Sequence, residues 1–369
     1  MPLNPPVILI SPDPVQQLAW RDALAPVVTS YFASLSLARD VLDSGAVFVV
    51  ALHDPEQIPT LLLRQQQHSA GVAVVAADRA SLAATALDEG VDCLLASDPL
   101  FNAALRQRVT SEIASLEARE ALAAANAQFQ RAHREVTLAA QTQSRFRPAS
   151  PLVSGSIVAS HRVIAAGQLS GDCVDYFRLD DGRFVFYVAD VAGHGLSAAL
   201  LTPLLKSFSL QLARGLAHAS LPELLSIFGA DIAALNCGKH VAIFAGVISA
   251  DETTLRYCSA GHAPPPMLES NGRMRMLSAV GKPLGLFPDA RYAEEVIALP
   301  VAFTLAAFSD GVLDLVPGAD LAERHAALAG LLSATAGDLD ALAERLGLIP
   351  GREFRDDVEC LLLSRSARS

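Results

Sequence analysis

The sequence predicts a multidomain chain in three successive parts: an α/β domain on a parallel sheet, a helical linker, and a layered α+β domain. Three observations carry this prediction. Over residues 1–100, short β-rich runs alternate with Ala- and Leu-rich helical segments, the pattern of a parallel sheet covered on both faces. Residues 101–150 contain no Gly and no Pro before Pro148, and are dominated by Ala, Gln, Glu and Arg, a composition that favours one uninterrupted helix. Over residues 151–369, strand-like runs group apart from helix pairs without strict alternation, which points to layers and not to a second doubly wound sheet.

In the first part, strands are expected at Val7–Ile10, Val27–Tyr31, Val47–Leu52, Gly71–Val75 and Asp92–Leu95, with helices over segments such as Val15–Leu24 and Arg79–Glu89. In the second, Val109, Ile113 and Leu116 form an apolar stripe at helical spacing, and Leu122, Phe129 and Val136 form another seven residues apart. The two stripes do not share a heptad frame, so both a lone helix and a helix paired with its twin stay open. In the third part, strands are expected at Phe184–Ala189, Val241–Ser249, Thr254–Ala260, Ala293–Leu299 and Phe303–Phe308. Helices are expected at Ser197–Leu216, Leu221–Leu235, Leu321–Ala334 and Asp338–Leu346.

Composition narrows the function classes. A length of 369 residues suits two or three domains. With 51% hydrophobic and 18% charged residues the chain can fill real cores. A formal net charge of −11 argues against binding nucleic acid or an anionic membrane by bulk electrostatics. The five cysteines, Cys93, Cys173, Cys237, Cys258 and Cys360, lie singly and form no CxxC pair, which is the spacing of reduced thiols in the cytoplasm. The N-terminus lacks the basic start and apolar core of a signal peptide. The apolar runs are broken before the ~18 residues of a membrane span, so no membrane association is expected.

The chemistry concentrates in four acidic strings beside apolar, strand-like runs. GDCVDYF at 171–177 carries Asp172 and Asp175, and ADVAGHG at 189–195 carries Asp190. FSDGVLD at 308–314 adds Asp310 and Asp314, and FRDDVECLLL at 354–363 adds Asp356 and Asp357. Hard divalent cations prefer oxygen ligands and keep several waters, so one or two carboxylates per ion suffice. Glycines at 193 and 195 allow a tight backbone turn under a carboxylate. One two-metal site drawn from distant segments is the reading these strings suggest. An Asp in an SDG string taken alone is as readily a turn former, and only the coincidence of all four strings makes a site.

The strand and helix order of 1–100 resembles the receiver domain of response regulators, which implies a flavodoxin-like fold. The phosphorylation machinery of that family is incomplete here. Ser11-Pro12-Asp13 stands where the acidic pair is expected, and Asp54, within Ala51-Leu52-His53-Asp54-Pro55, is the only nearby acceptor. Ala76 and Ala77 replace the hydroxyl, and Ser97-Asp98-Pro99 replaces Lys-Pro. Without that lysine a phosphoaspartate has no ionic reporter, so a degenerate regulatory receiver is expected, or simply a small α/β docking domain.

Residues 155–365 resemble the SpoIIE-like branch of the type 2C (PPM) metal-dependent serine/threonine phosphatases. The four acidic strings match its motifs in order, with SAGHAPPPML at 259–268 and VGKPLGLF at 280–287 between them. The resemblance implies a β-sandwich flanked by helices and two Mn²⁺ or Mg²⁺ ions that activate a water, with no phosphoenzyme. Carried over by position, Asp190 is the bridging ligand and the Val191 carbonyl completes one shell. Asp310 and Asp356 hold the second ion, Asp172 acts through water, and Asp314 can hold a third, weaker ion. Asp175 and Asp357 are then supporting residues, and His194 and His262 are structural or supporting ones. The chain departs from the family at Ser170, where a second Gly is common, at Cys173 and Val174, and at Glu359, where Thr or Ser is usual.

The resemblance further implies a phosphorylated protein substrate, a STAS-type anti-sigma-factor antagonist in a partner-switching pathway. The domains expected are 1–100, a receiver-like regulator; 101–150, a helical signalling linker through which a homodimer can form; and 151–369, the phosphatase. The competing class is a non-catalytic signalling adaptor, which binds a regulatory protein through a phosphatase-like domain. An adaptor has no need of the metal ligands, and this chain keeps the whole set.

Overall fold

A computed structural model of the chain describes residues 7–26, 28–32, 46–66, 72–193, 195–349 and 352–366. Val27 and Gly71, the expected first residues of two strands, and His194 lie outside the described residues. The chain divides into two units, Met1–Ala132 and His133–Ser369.

The first unit runs β1 (Val7–Ile10), α1 (Pro14–Leu24), β2 (Val28–Phe32), β3 (Val47–Leu52), α2 (Ile58–Gln66), β4 (Val72–Ala77), α3 (Ala80–Asp88) and β5 (Cys93–Leu95). The five strands form one parallel sheet in the order β2-β1-β3-β4-β5. Every residue of β1 and β3 is buried, as an all-parallel sheet with two covered faces requires. Alternation sorts them: Ile8, Phe48 and Val50 pack with Ile58, Leu61 and Leu82 on one face. Leu9, Val47 and Val49 pack with Trp20, Leu24 and Phe101 on the other. The two acids nearest the expected receiver site are occupied in caps. Asp13 accepts from the Val15 N–H at 2.9 Å, and Asp54 from the Glu56 N–H at 3.0 Å.

The helix expected after the sheet is α4 (Phe101–Ser144). The mismatch between its two apolar stripes now has a physical reason. Leu105, Val109 and Leu116 are buried in the core of the first unit, whereas Leu122 and Phe129 are 62% and 65% exposed. Each stripe answers a different environment.

The second unit begins, after the last turns of α4, with β6 (Leu152–Ser154), β7 (Ile157–Ile164), β8 (Cys173–Arg178) and β9 (Phe184–Val191). Then come α5 (Leu196–Ala199), α6 (Thr202–Gly215), α7 (Leu221–Ala234), β10 (Val241–Ile248), β11 (Thr254–Ala260), β12 (Met267–Ser270), β13 (Arg273–Met276), β14 (Glu295–Ala298) and β15 (Phe303–Phe308). The unit closes with α8 (Leu321–Ala334), α9 (Leu339–Leu346) and β16 (Val358–Arg365). Two antiparallel sheets result, β14-β11-β10-β9-β8 and β13-β12-β15-β16-β7-β6.

Period-two alternation builds four layers from these sheets. Val174, Phe184, Phe186, Phe244, Leu305 and Leu361 meet between the sheets as one core. Tyr187, Ala189 and Ile243 face outward onto Phe208, Leu212 and Phe228 of α6 and α7, where the Phe208 and Phe228 rings stack at 4.3 Å. Ala306, Phe308 and Leu362 face outward onto Leu328, Leu342 and Leu346 of α8 and α9. The expected sandwich flanked by helices is the architecture observed.

Two expectations need correction. The single helix expected over Ser197–Leu216 is interrupted at Leu200 and Leu201, just before Pro203, whose ring cannot follow a preceding helical turn without losing a hydrogen bond. The stretch Leu196–Gly215 also reaches, by length and composition, what a membrane span needs, and 44% of its window is buried. Leu205, Phe208 and Leu212 are fully covered by the sheet, as in a core helix.

Candidate active site

The alternation that builds the core also decides where each aspartate goes. In β8, Val174 and Tyr176 face the space between the sheets. Asp172, of the same parity, is buried at the end of that space, whereas Asp175, three residues on, faces α6. There Asp175 accepts from Lys206 Nζ at 2.7 Å and from Ser209 Oγ. In β9, Phe184, Phe186 and Val188 face inward, so Asp190 continues their face to the same end. Asp175 is thus a partner of α6 and stands apart from the acidic cluster.

The remaining strings converge by close backbone packing. Asp310 opens a 3-10 turn, Asp310–Asp314, directly after β15. A side chain on Gly311 would lie 2.2 Å from the Asp357 carbonyl, so only glycine lets the SDG turn lie against the acidic pair before β16. Asp357 accepts from the Ala166 N–H at 2.8 Å and the Gly171 N–H at 2.6 Å. It therefore pins the loop that carries Asp172. Ser170 supplies its hydroxyl to the Asp172 N–H at 3.0 Å, which gives the unexpected serine a purpose. Gln143, near the end of α4, grips the same residue: it donates to the Ser170 carbonyl at 2.7 Å and accepts from the Ser170 N–H at 3.1 Å. Across the site, Gly193 and Gly195 take φ of 83° and 78°, and Lys239 donates to the Ala192 carbonyl at 2.9 Å beneath that turn.

The electrostatics are those of crowded, uncompensated carboxylates. Asp172 is 4% exposed, and one of its carboxylate oxygens has no hydrogen-bond partner. Burial, then the neighbouring Glu359 and Asp190, push its carboxyl well above the usual range. Burial followed by repulsion from Asp310, Asp356 and Asp357 pushes Asp190 up to about 7. Asp310 is raised by burial, then by Asp356 and Asp314. Asp314 is more open and lies 3.4 Å from the Arg324 guanidinium. His262 is buried against the Phe244 ring, and burial pulls its imidazole down to about 4. It is a neutral, buried residue. A cavity of about 320 Å³ opens beside the cluster, lined by Gly311, Asp314, Arg324, Arg352, Arg355 and Asp356.

These residues fit divalent cations by donor chemistry. The set is all hard oxygen, and an orphaned buried carboxylate oxygen calls for a positive partner. Among the described residues no three His, Cys, Asp or Glu side chains close into a ready-made shell. That suits ions that keep most of their waters and take few protein ligands each.

The protein-family model for stage II sporulation protein E (SpoIIE) matches residues 180–366, just over half of the chain. The chain belongs to the SpoIIE family. Among curated relatives, the phosphoserine phosphatase RsbP of Bacillus subtilis is 29% identical over 189 residues, covering 49% of this chain and 45% of RsbP. Protein IcfG of Synechocystis is 25% identical over 236 residues, covering 54% and 37%. The chain thus matches less than half the length of either relative. Among solved structures, the SiaA-PP2C domain of Pseudomonas aeruginosa aligns with a TM-score of 0.53 at 18% identity, over 65% of this chain and 98% of that domain. The RsbU and RsbW domains of Rv1364c from Mycobacterium tuberculosis align with a TM-score of 0.50 at 25% identity, over 60% and 62%. The fold of this SpoIIE-family domain is that of the PP2C phosphatases.

The two aspartates of GDCVDYF are expected to fail differently. Asp175→Asn removes a half-buried ion pair to Lys206 and a charged hydrogen bond from Ser209, and should cost about 2 kcal/mol of stability in urea unfolding while leaving Mn²⁺ binding in place. Asp172→Asn should weaken Mn²⁺ binding in calorimetric titration with no comparable loss of stability. Interchanged outcomes would refute the assignment. A second expectation concerns pH. Burial and like-charged neighbours raise Asp190 from the ordinary 3.8 to about 7, so the folded state holds the proton more tightly than the unfolded. In the metal-free protein the contribution of this group to stability should be full below about pH 4 and be lost as pH rises through about 7. Saturating Mn²⁺ should abolish the fall, and a melting-temperature series at both conditions measures it.

Proposed function

We propose that this protein is a metal-dependent protein serine/threonine phosphatase that hydrolyses phosphoserine or phosphothreonine on a partner protein. The observation that carries this reading is the convergence of Asp172, Asp190, Asp310 and Asp356 at one end of a PP2C-type sandwich, with no ion pair to any of the four among the described residues. In this reading Asp190, the Val191 carbonyl, Asp310 and Asp356 would hold two Mn²⁺ or Mg²⁺ ions. Asp172 would contribute through water, and Asp314 would serve a weaker third ion. Two such ions, when bound, would lower the pKa of a water between them and screen the phosphoryl oxygens during in-line displacement.

The chain's own groups do the rest. Ser170 and Asp357 fix the loop under Asp172, which keeps the carboxylate from relaxing away from its neighbours. Arg355 is exposed at the rim of the 320 Å³ cavity beside Asp356, and a guanidinium there suits a phosphoryl dianion. A partner protein carrying phosphoserine is supported by the likeness to RsbP, named a phosphoserine phosphatase. A STAS-type anti-sigma-factor antagonist in a cytoplasmic partner-switching pathway is the substrate we put forward.

Regulation is assigned to the remaining parts. The strand order β2-β1-β3-β4-β5 supports a receiver-like, flavodoxin-like regulator, one that does not use standard phosphorylation. The exposed Leu122 and Phe129 of α4 support a homodimer through the helix. The grip of Gln143 on Ser170 gives the end of that helix a mechanical hold on the Asp172 loop.

Hydrolysis of p-nitrophenyl phosphate with Mn²⁺ tests the enzyme reading. Asp190→Ala and Asp310→Ala should each lower the rate on the order of 100-fold or more, and chelation should silence the wild type. A wild type no faster than the variants would leave the adaptor reading in its place. For the first unit, incubation with acetyl phosphate should add no phosphoryl group by intact mass. A stoichiometric addition lost in Asp54→Ala would show a working receiver.

A further inference from the structure

Glu359 is the most buried acid that the proposed chemistry leaves unused. It is 0% exposed, and neither of its carboxylate oxygens has a hydrogen-bond partner. Its orientation follows from the alternation of β16. Val358, Cys360 and Leu362 face α8 and α9, whereas Leu361 and Leu363 face the space between the sheets. Glu359 shares the parity of the second set, so its side chain enters the inter-sheet space at the end that holds Asp172 and Asp190. Consistent with this, it is the largest charged influence on Asp172, ahead of Asp190. Its backbone is fully engaged: the N–H donates to Ser309 Oγ at 2.8 Å and the carbonyl accepts from the Ser309 N–H at 3.1 Å. Its position is therefore fixed by the ladder, and its carboxylate is left over.

A carboxylate in that setting is costly. An unpartnered buried polar group costs roughly 1–3 kcal/mol, and a charged one more. Arg147 influences it electrostatically, yet no ion pair or hydrogen bond joins the two among the described residues. Arg147 offsets part of that burial from a distance, Asp190 and Asp357 act against it, and neither carboxylate oxygen gains a partner.

We propose that Glu359 is an additional carboxylate of the metal centre, which acts with Asp172 to hold a divalent cation and raises the affinity of the site. It enters from the floor of the sandwich, whereas Asp310 and Asp356 approach from loops at its rim. The proposal rests on reading the cluster as a metal centre, and it goes further by assigning a role to a side chain outside the ligand set.

The test is a calorimetric titration of the full-length protein with Mn²⁺, for wild type, Glu359→Gln and Glu359→Thr, with the thermal midpoint of each metal-free protein. The expected result is a Kd weakened on the order of 10-fold in both variants, with metal-free midpoints no lower than wild type. The rise in midpoint on adding Mn²⁺ should shrink in both. An unchanged Kd in a folded variant would overturn the proposal. So would metal-free midpoints that fall in both variants, because Glu359 would then be a structural brace. A wild type that binds no Mn²⁺ would instead refute the metal-centre reading itself, a different failure with a different signature.

Discussion

Mutual repulsion among carboxylates is the constraint on which the second unit turns. Asp172, Asp190, Asp310 and Glu359 are all held above the ordinary carboxylate range, burial being the first cause in each case. A fold does not gather such groups by default, because each loses hydration and gains a like-charged neighbour. The sandwich supplies the force that does so. The two sheets share one continuous apolar core, and the acids sit where that core ends. The apolar residues below fix the strands, and the strands leave the acids nowhere else to go.

The site is held open by a hydrogen-bond frame that is separate from the acids proposed to work. Asp357 takes two backbone N–H groups from the 166–171 loop, and Ser170 takes the N–H of Asp172. Ser309 ties β16 to the SDG turn. Satisfied groups of this kind keep their geometry whether or not a counter-charge is present. The division is visible in adjacent residues: Asp356 borders the open cavity, whereas Asp357 is 4% exposed and fully engaged in the frame. Asp175 shows the same division in GDCVDYF, since Lys206 and Ser209 absorb its charge.

Much of this was legible from the sequence, for a physical reason that also marks where it failed. The alternating runs of 1–100 and the long Ala-rich helix reflect local periodicity, and both elements stand where the sequence places them. Asp172, Asp190, Asp310 and Asp356 lie at one end of the sandwich because each string abuts an apolar strand whose packing is dictated by pattern. Strands β6, β7, β12 and β13 are not among the runs the sequence marks as strands, and β8 and β16 figure there only as apolar runs beside the acidic strings. β6, β12 and β13 are short and β7 is only half-buried, and so these four carry little hydrophobic signal. The break at Leu200 was missed because a composition rich in Ala and Leu outweighs one Pro in any windowed reading. Glu359 was seen only as an odd residue. Its burial depends on which face of β16 meets the second sheet, and that is a tertiary fact.

That residue sharpens the relation between stability and chemistry here. A thermodynamically optimised sandwich would place an apolar or hydroxyl side chain at the inner face of β16, continuing Leu361 and Leu363. A carboxylate there makes the metal-free fold less favourable, and it does so at the end of the core where Asp172 and Asp190 already repel. In the metal-centre reading, cations would bind the folded state alone, because only folding brings the four strings together. Whatever the acids take from the metal-free stability would then be returned as a greater difference between the empty and loaded protein. The more acidic the floor of the site, the more completely the fold of this unit would depend on the cations proposed for it.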